Sequence, residues 1–291
     1  MRSLEVETQA ARLFVYEWGD VGAPTVVYWD GRSGTGLHAN EIGPILAGDF
    51  GFRVLAPDPP GHGRSPAVDP ERLRPSALAS ITDVLLEALD VPRAAFIGFS
   101  WGARIACAFG ARCADRAAAL VLVDGGYVDF VDLPHFDASA RLADRVEAAR
   151  RGARAYTTFE SYFANERRAI GRWNDALAEA HAAMMRESDG HVVPIATPEV
   201  IGAIHHANCV EPTASMHAAL RASSVPILLI TPADSSDAKD AAGRAGLERF
   251  AQEVPQLETR TLPTATHDLV SHLPDELARA IGAWLRPLVP A

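Results

Sequence analysis

The pentapeptide Gly98-Phe99-Ser100-Trp101-Gly102 stands between an apolar run, AAFIGF (94–99), and a helix-like stretch, ARIACAFGARCA (103–114). No linker separates the two, so the chain must leave a strand and start a helix within a residue or two of Ser100. Only a sharp, strained turn does this, and flanking glycines give it room. A strand feeding straight into a helix is half of a strand–helix–strand unit, and the rest of the first half repeats the theme. LFVYEW (13–18), TVVYW (25–29), FRVLAP (52–57) and ALVLVD (119–124) are β-branched and aromatic runs. They are mostly apolar rather than alternating, the pattern of parallel strands covered on both faces. Between them, SALASITDVLLEALD (76–90) spaces its apolar residues as a helix does, with Ser76 as candidate N-cap.

After Gly126 the character changes. Residues 135–190 are charged and helix-rich, with no convincing strand, and strand signals are also missing from 191–222. Strand character returns at PILLIT (226–231) and LETRTL (257–262), and a closing amphipathic helix is expected from about Asp275 to Leu285, behind Pro274. The expected organisation is an α/β core made of residues 1–126 and 225–291, interrupted by a helical insert at 127–224. A chain of 291 residues has room for one sizeable core with such an addition.

Composition narrows the partners. Acidic residues outnumber basic ones 37 to 27, a net charge of −10, so polyanions such as nucleic acid and anionic membrane surfaces are not expected. The three cysteines, Cys107, Cys113 and Cys209, form no C-x-x-C pair, and the two in the helix-like stretch read as buried thiols. The opening MRSLEVETQAARLFVY lacks the layout of a signal peptide, and the longest apolar run, 117–123, is too short to span a bilayer. A cytoplasmic location is expected.

A serine on so sharp a turn has its hydroxyl pushed out above the sheet, beside the N–H groups that open the following helix. To act as a nucleophile it needs a base, and His267 is best placed. It lies in TATHDLVSHLP, after the last strand-like run and before the last helix. His62 sits in a turn, His181, His191, His205, His206 and His217 lie in the insert, and His272 adjoins the last helix. The adjacent pair His205-His206 is not read as a metal site, because neighbouring side chains diverge and no carboxylate has ligand spacing. No phosphate loop or dinucleotide fingerprint is present, so neither metal nor organic cofactor is expected.

With Asp58-Pro59-Pro60-Gly61-His62-Gly63-Arg64-Ser65 added, the chain resembles the α/β-hydrolase fold family over almost all of its length outside the insert. The resemblance rests on the G-x-S-x-G turn, the D-x-x-G-x-G-x-S turn and a late histidine, in the family's order. It implies a mostly parallel sheet with helices on both faces and a helical cap after the sixth strand. Ser100 would be the nucleophile and His267 its base, with the Trp101 N–H as one oxyanion donor. Relatives often carry His-Gly after the third strand. Here the tract reads Trp29-Asp30-Gly31-Arg32, which makes Arg32 N–H the second donor and leaves Asp30 as a turn residue facing elsewhere. Two acids qualify: Asp124 in VLVDGG, and Asp234 (near Asp237) in ITPADSSDAKD. Serine at the nucleophile position argues against haloalkane dehalogenase and epoxide hydrolase chemistry, for which similar proteins use aspartate. The expected activity is cofactor-free hydrolysis of a small or medium, uncharged carboxylic ester or lactone through an acyl-enzyme, with a small-molecule acyl substrate as partner. Carbon–carbon bond hydrolysis on the same scaffold and low-turnover ligand reception are the alternatives. The insert would form a lid, with some of Tyr127, Phe130, Phe136, Tyr156, Phe159, Tyr162, Phe163 and Trp173 lining the cavity.

Overall fold

A computed structural model describes residues 1–133, 136–233, 241–263 and 266–289. Eight strands form one sheet in the order β1-β2-β4-β3-β5-β6-β9-β10. They are β1 (Arg2–Glu7), β2 (Arg12–Trp18), β3 (Thr25–Trp29), β4 (Arg53–Pro57), β5 (Ala94–Phe99), β6 (Ala117–Val123), β9 (Ile227–Pro232) and β10 (Leu257–Leu262). β2 runs antiparallel to both β1 and β4, and every other pairing is parallel. The chain is therefore α/β with a mostly parallel sheet, as the alternating runs predict.

Successive residues of the central strands bury into opposite faces. Val27, Leu55, Phe96, Leu120 and Leu122 join one core cluster, while Val26, Tyr28, Val54, Ile97, Val121 and Val123 join the other. That period of two on two covered faces is why these strands are apolar throughout. The first face is covered by α2 (Pro75–Ala88), α3 (Trp101–Arg112) and α9 (Ala241–Glu253), through residues such as Leu85, Phe109 and Phe250. The second is covered by α1 (Ile42–Phe50) and α10 (Pro274–Leu285), through Leu46, Ile281 and Leu285. Trp29, Tyr28 and Phe96 are fully buried, and burying a large apolar side chain contributes about 1.5–3 kcal/mol.

Three local expectations change. β1 was not anticipated, because its sequence RSLEVE buries only Val6 well. Ser76 is not the cap of α2: Pro75 takes the first helical position, and the Ser76 hydroxyl and amide both bind Glu211, at 2.6 and 3.0 Å. The insert also contains a hairpin, β7 (Met185–Ser188) and β8 (His191–Pro194). Its turn is Asp189-Gly190, both left-handed, the conformation a tight two-residue hairpin requires.

The remaining insert elements are α4 (Leu142–Gly152), α5 (Phe159–Ile170), α6 (Asp175–Ala182), α7 (Pro198–Val210) and α8 (His217–Ser223). α4 and α7 cross closely, since a Cβ on Gly202 would meet the Val146 backbone at 2.6 Å. Tyr162, Met185 and Val192 form a small core of their own. On the α3 side, by contrast, Val200, Ile204 and Leu220 belong to the main core. Charged ties complete the attachment: Arg172 and Asn174 both bind Glu41, and buried Arg104 of α3 pairs with Asp129 at 3.1 Å. Among the described residues no helix is long and apolar enough to cross a membrane.

Candidate active site

Ser100 closes β5 and opens α3 with φ 54° and ψ −109°. A non-glycine residue in such a conformation costs about 1–3 kcal/mol and is held by its surroundings. Here the surroundings are tight. A Cβ on Gly98 would collide with the Gly102 carbonyl, one on Gly102 with the Trp29 carbonyl, and one on Gly125 with the Ser100 carbonyl. The Ser100 amide donates to the Val123 carbonyl at 2.9 Å, which fixes the turn to the end of β6.

The structure brings three sequence candidates together. His267 Nε2 lies 2.9 Å from Ser100 Oγ, and His267 Nδ1 lies 2.7 Å from Asp124 Oδ2. A carboxylate only accepts hydrogen bonds, so Nδ1 carries the hydrogen and Nε2 is left to accept from the serine hydroxyl. Asp124 follows β6 with φ 41°, its amide donating to the Ile230 carbonyl at 2.8 Å. Its carboxylate is buried and also accepts from the Tyr127 hydroxyl at 2.9 Å. Tyr127 stood among the expected lid aromatics; its tie to the acid was not read. The His267 ring is half exposed and packs against Phe99 at 5.1 Å between centroids. The other candidate acid, Asp234, lies outside the described residues, as does Asp237.

Trp101 occupies the first position of α3, with its ring stacked on His62. A side chain on Gly31 would stand 3.5 Å from Ser100 Cβ, so the segment that leads into Arg32 runs beside the nucleophile turn. The Arg32 carbonyl accepts from His62 Nε2 at 2.7 Å. Behind this segment Asp58 forms a clasp, accepting from the amides of Gly36 (2.9 Å) and Arg64 (2.8 Å). Burial pushes the Asp58 carboxyl up to about 6, against the pull of those amides. Gly63 is left-handed, and a side chain there would strike the Asp58 carboxylate.

Asp30 departs from its expected role as a turn residue. It is fully buried, accepts from the Tyr28 hydroxyl at 2.9 Å and pairs with His38 Nδ1 at 3.0 Å. His38 Nε2 in turn contacts Ser271 Oγ at 2.8 Å, across 233 positions of sequence. Burial would lower the His38 pKa, but the charges of Asp30 and Asp268, with Glu41 farther off, prevail and raise it to about 9. His181, whose ring meets that of His38 edge-on at 6.3 Å between centroids, is held down to about 4 by burial and by the charge of His38. A folded-state pKa raised above the ordinary 6.5 stabilises the fold fully below pH 6.5, and that contribution is lost as pH rises through 9. His38 is therefore expected to contribute on the order of 3 kcal/mol to the difference in stability between pH 6.5 and pH 9, read by denaturant titration. In His38→Gln the difference should shrink; an unchanged pH dependence would exclude His38 as its source.

Ser100, His267 and Asp124 face a cavity of about 470 Å³. The core contributes Arg32, Phe99 and Trp101 to its wall, and the insert contributes Tyr127, Phe130 and Met184. Phe136 instead packs on Phe130 and under the Arg145 guanidinium, and Phe163 packs on Trp173. No cluster of three or more potential metal ligands occurs among the described residues. Cys107 is buried, and Cys113 and Cys209 are partly buried; all three are free thiols.

Comparison with known proteins agrees with this architecture. The family model described as alpha/beta hydrolase fold matches residues 24–270. Epoxide hydrolase A of Mycobacterium tuberculosis (strain ATCC 25618 / H37Rv) is 36% identical over 118 residues, covering 40% of this chain and 36% of that protein. The 2-hydroxy-6-oxo-6-phenylhexa-2,4-dienoate hydrolase of Burkholderia cepacia is 30% identical over 108 residues, covering 36% of this chain and 37% of that protein. The matched segments thus span little more than a third of those relatives. The thioesterase domain from the curacin biosynthetic pathway superposes with a TM-score of 0.78 at 18% identity, covering 97% of this chain and 99% of that one. On the match that runs from Pro24 to Val270, the chain belongs to the α/β-hydrolase fold family.

Proposed function

We propose that the protein is a serine hydrolase that cleaves a carboxylic ester or lactone through an acyl-enzyme, without a cofactor. The observation that carries this reading is the unbroken hydrogen-bonded series Ser100–His267–Asp124 at the floor of a cavity. Ser100 Oγ attacks the carbonyl carbon as its proton passes to His267 Nε2. The carbonyl oxygen becomes an oxyanion, held by the backbone N–H groups of Trp101 and Arg32. Asp124 orients the imidazole and stabilises its charged form, and Tyr127 holds Asp124. His267 then delivers the proton to the departing alkoxide, and water, deprotonated by His267, releases the acid. The insert, residues 127–224, serves as the lid whose side chains complete the pocket.

Carbon–carbon bond hydrolysis next to a carbonyl is the second reading, favoured by the reaction named for the Burkholderia cepacia relative. Epoxide hydrolysis, named for the Mycobacterium tuberculosis relative, is not adopted because serine stands at the nucleophile position. A series of p-nitrophenyl esters tests the proposal: a burst of nitrophenol stoichiometric with enzyme, then slower turnover, is the expected result. Labelling of Ser100 by a fluorophosphonate without ester turnover would shift the reading to carbon–carbon hydrolysis. Neither labelling nor turnover would overturn both.

A further inference from the structure

A second cavity, about 410 Å³, shares Arg32, Ser33 and Met184 with the one above Ser100. Its walls come largely from α4, the β7–β8 hairpin and α7 of the insert. They are mostly apolar, yet among the described residues they include two arginines, Arg32 and Arg154, and no aspartate or glutamate. This occurs in a chain whose acids outnumber its bases 37 to 27.

Arg32 stands at the junction. Several other buried or half-buried arginines pair with carboxylates, Arg53 with Glu17, Arg104 with Asp129 and Arg172 with Glu41, although among the described residues buried Arg145 does not. Arg32 has no carboxylate partner among the described residues. Its guanidinium instead contacts His205 Nε2. Burial, and then the charges of Arg32 and Arg145, hold His205 down to about 4, so at neutral pH it is an uncharged acceptor. A neutral imidazole orients a guanidinium without cancelling its charge. The Arg32 side chain is open to the cavity, while the surrounding protein desolvates it enough to lower its pKa. Arg145, packed over Phe136 and donating, among the described residues, to the Asp137 carbonyl, adds a second positive charge near His205. An oriented, partly desolvated and uncompensated cation is what a carboxylate-binding position requires.

We propose that the substrate is anionic: a carboxylate borne by the ester or lactone docks on the Arg32 guanidinium at the junction of the two cavities while its scissile carbonyl lies at Ser100. This rests on the hydrolase reading above and replaces the sequence-based expectation of an uncharged compound. Arg32 then acts twice, its amide toward the oxyanion and its side chain toward the substrate's charge.

The test compares isosteric pairs that carry carboxylate or carboxamide. One pair is the p-nitrophenyl monoester of glutarate and that of glutaramate, with the charge on the acyl side. The other is the butanoate esters of 4-hydroxybenzoate and 4-hydroxybenzamide, with the charge on the leaving group. After subtraction of spontaneous hydrolysis, wild-type kcat/KM is expected to favour the carboxylate by about 10- to 100-fold in at least one pair. In Arg32→Met that ratio should fall toward one, and Arg32→Lys should restore part of it. Any uniform loss from disturbing the Arg32 backbone cancels in the ratio. A wild-type ratio near one in both pairs, or a preference that survives Arg32→Met, overturns the inference and leaves the hydrolase reading intact. If no ester is turned over and Ser100 is not labelled, the hydrolase reading fails by itself. Calorimetric titration with glutaramate and the uncharged glutaramide then decides the anion site. Tighter binding of glutaramate, lost in Arg32→Met, supports it, and equal binding overturns it.

Discussion

Ser100→Ala is expected to lower ester turnover by about 10⁶-fold, the scale seen when a triad nucleophile is removed. The substitution deletes one oxygen and leaves the turn intact. Alanine at φ 54° meets the same backbone restraint as serine, because the collisions at Gly98, Gly102 and Gly125 involve backbone atoms only. The fold should therefore stand, with a melting temperature close to that of the wild type. Residual catalysis would come from the Trp101 and Arg32 amides and from substrate binding, about 10³- to 10⁴-fold over water. Stopped-flow measurement should show no burst, and intact mass after fluorophosphonate treatment should show no adduct. A persisting burst would place the nucleophile elsewhere.

The second large effect is expected at the acid. In Asp124→Asn the side chain can present an N–H to His267, which turns the imidazole to the wrong tautomer and leaves Nε2 unable to take the serine proton. Loss of turnover by about 10⁴-fold follows from that chemistry. The Tyr127 hydroxyl still has a carbonyl oxygen to donate to, so the site should keep its shape. Asp234→Asn is the control and should stay within a few-fold of wild type. A deep loss at Asp234 with a shallow one at Asp124 would exchange their roles, and equal, small losses would exclude both.

The contrast between what the residues announced and what they concealed follows from how local each signal is. Buried parallel strands announce themselves because both faces are covered. β1, paired on one side only, carries Arg2, Glu5 and Glu7 and hid its strand character behind charge. The β7–β8 hairpin had a local signal after all, the dipeptide Asp189-Gly190, masked by the polar tract Arg186-Glu187-Ser188. Ser100, His267 and Asp124 were all candidates by position, whereas the hydrogen bond from Tyr127 to Asp124 was not read. The sequence left Asp124 and Asp234 both open, because contact with His267 depends on the meeting of separate loops; the structure places Asp124 there, and Asp234 lies outside the described residues. Asp30, His38 and Ser271 form a network that no spacing could show. The setting of Arg32, with no carboxylate partner among the described residues, is a property of three dimensions.

The placement of β9 has a consequence for the order in which the molecule can be made. β6 pairs with β9 on its outer side, Leu120 opposite Ile227 through Val123 opposite Ile230. Roughly one hundred residues of insert emerge from the ribosome between these partners, which takes on the order of 5–20 s at common translation rates. For that interval a fully apolar strand offers an open edge, and such edges recruit other chains. His267 arrives later still, so Ser100 is in place well before anything can activate it. A nascent or truncated product would be both inert and sticky.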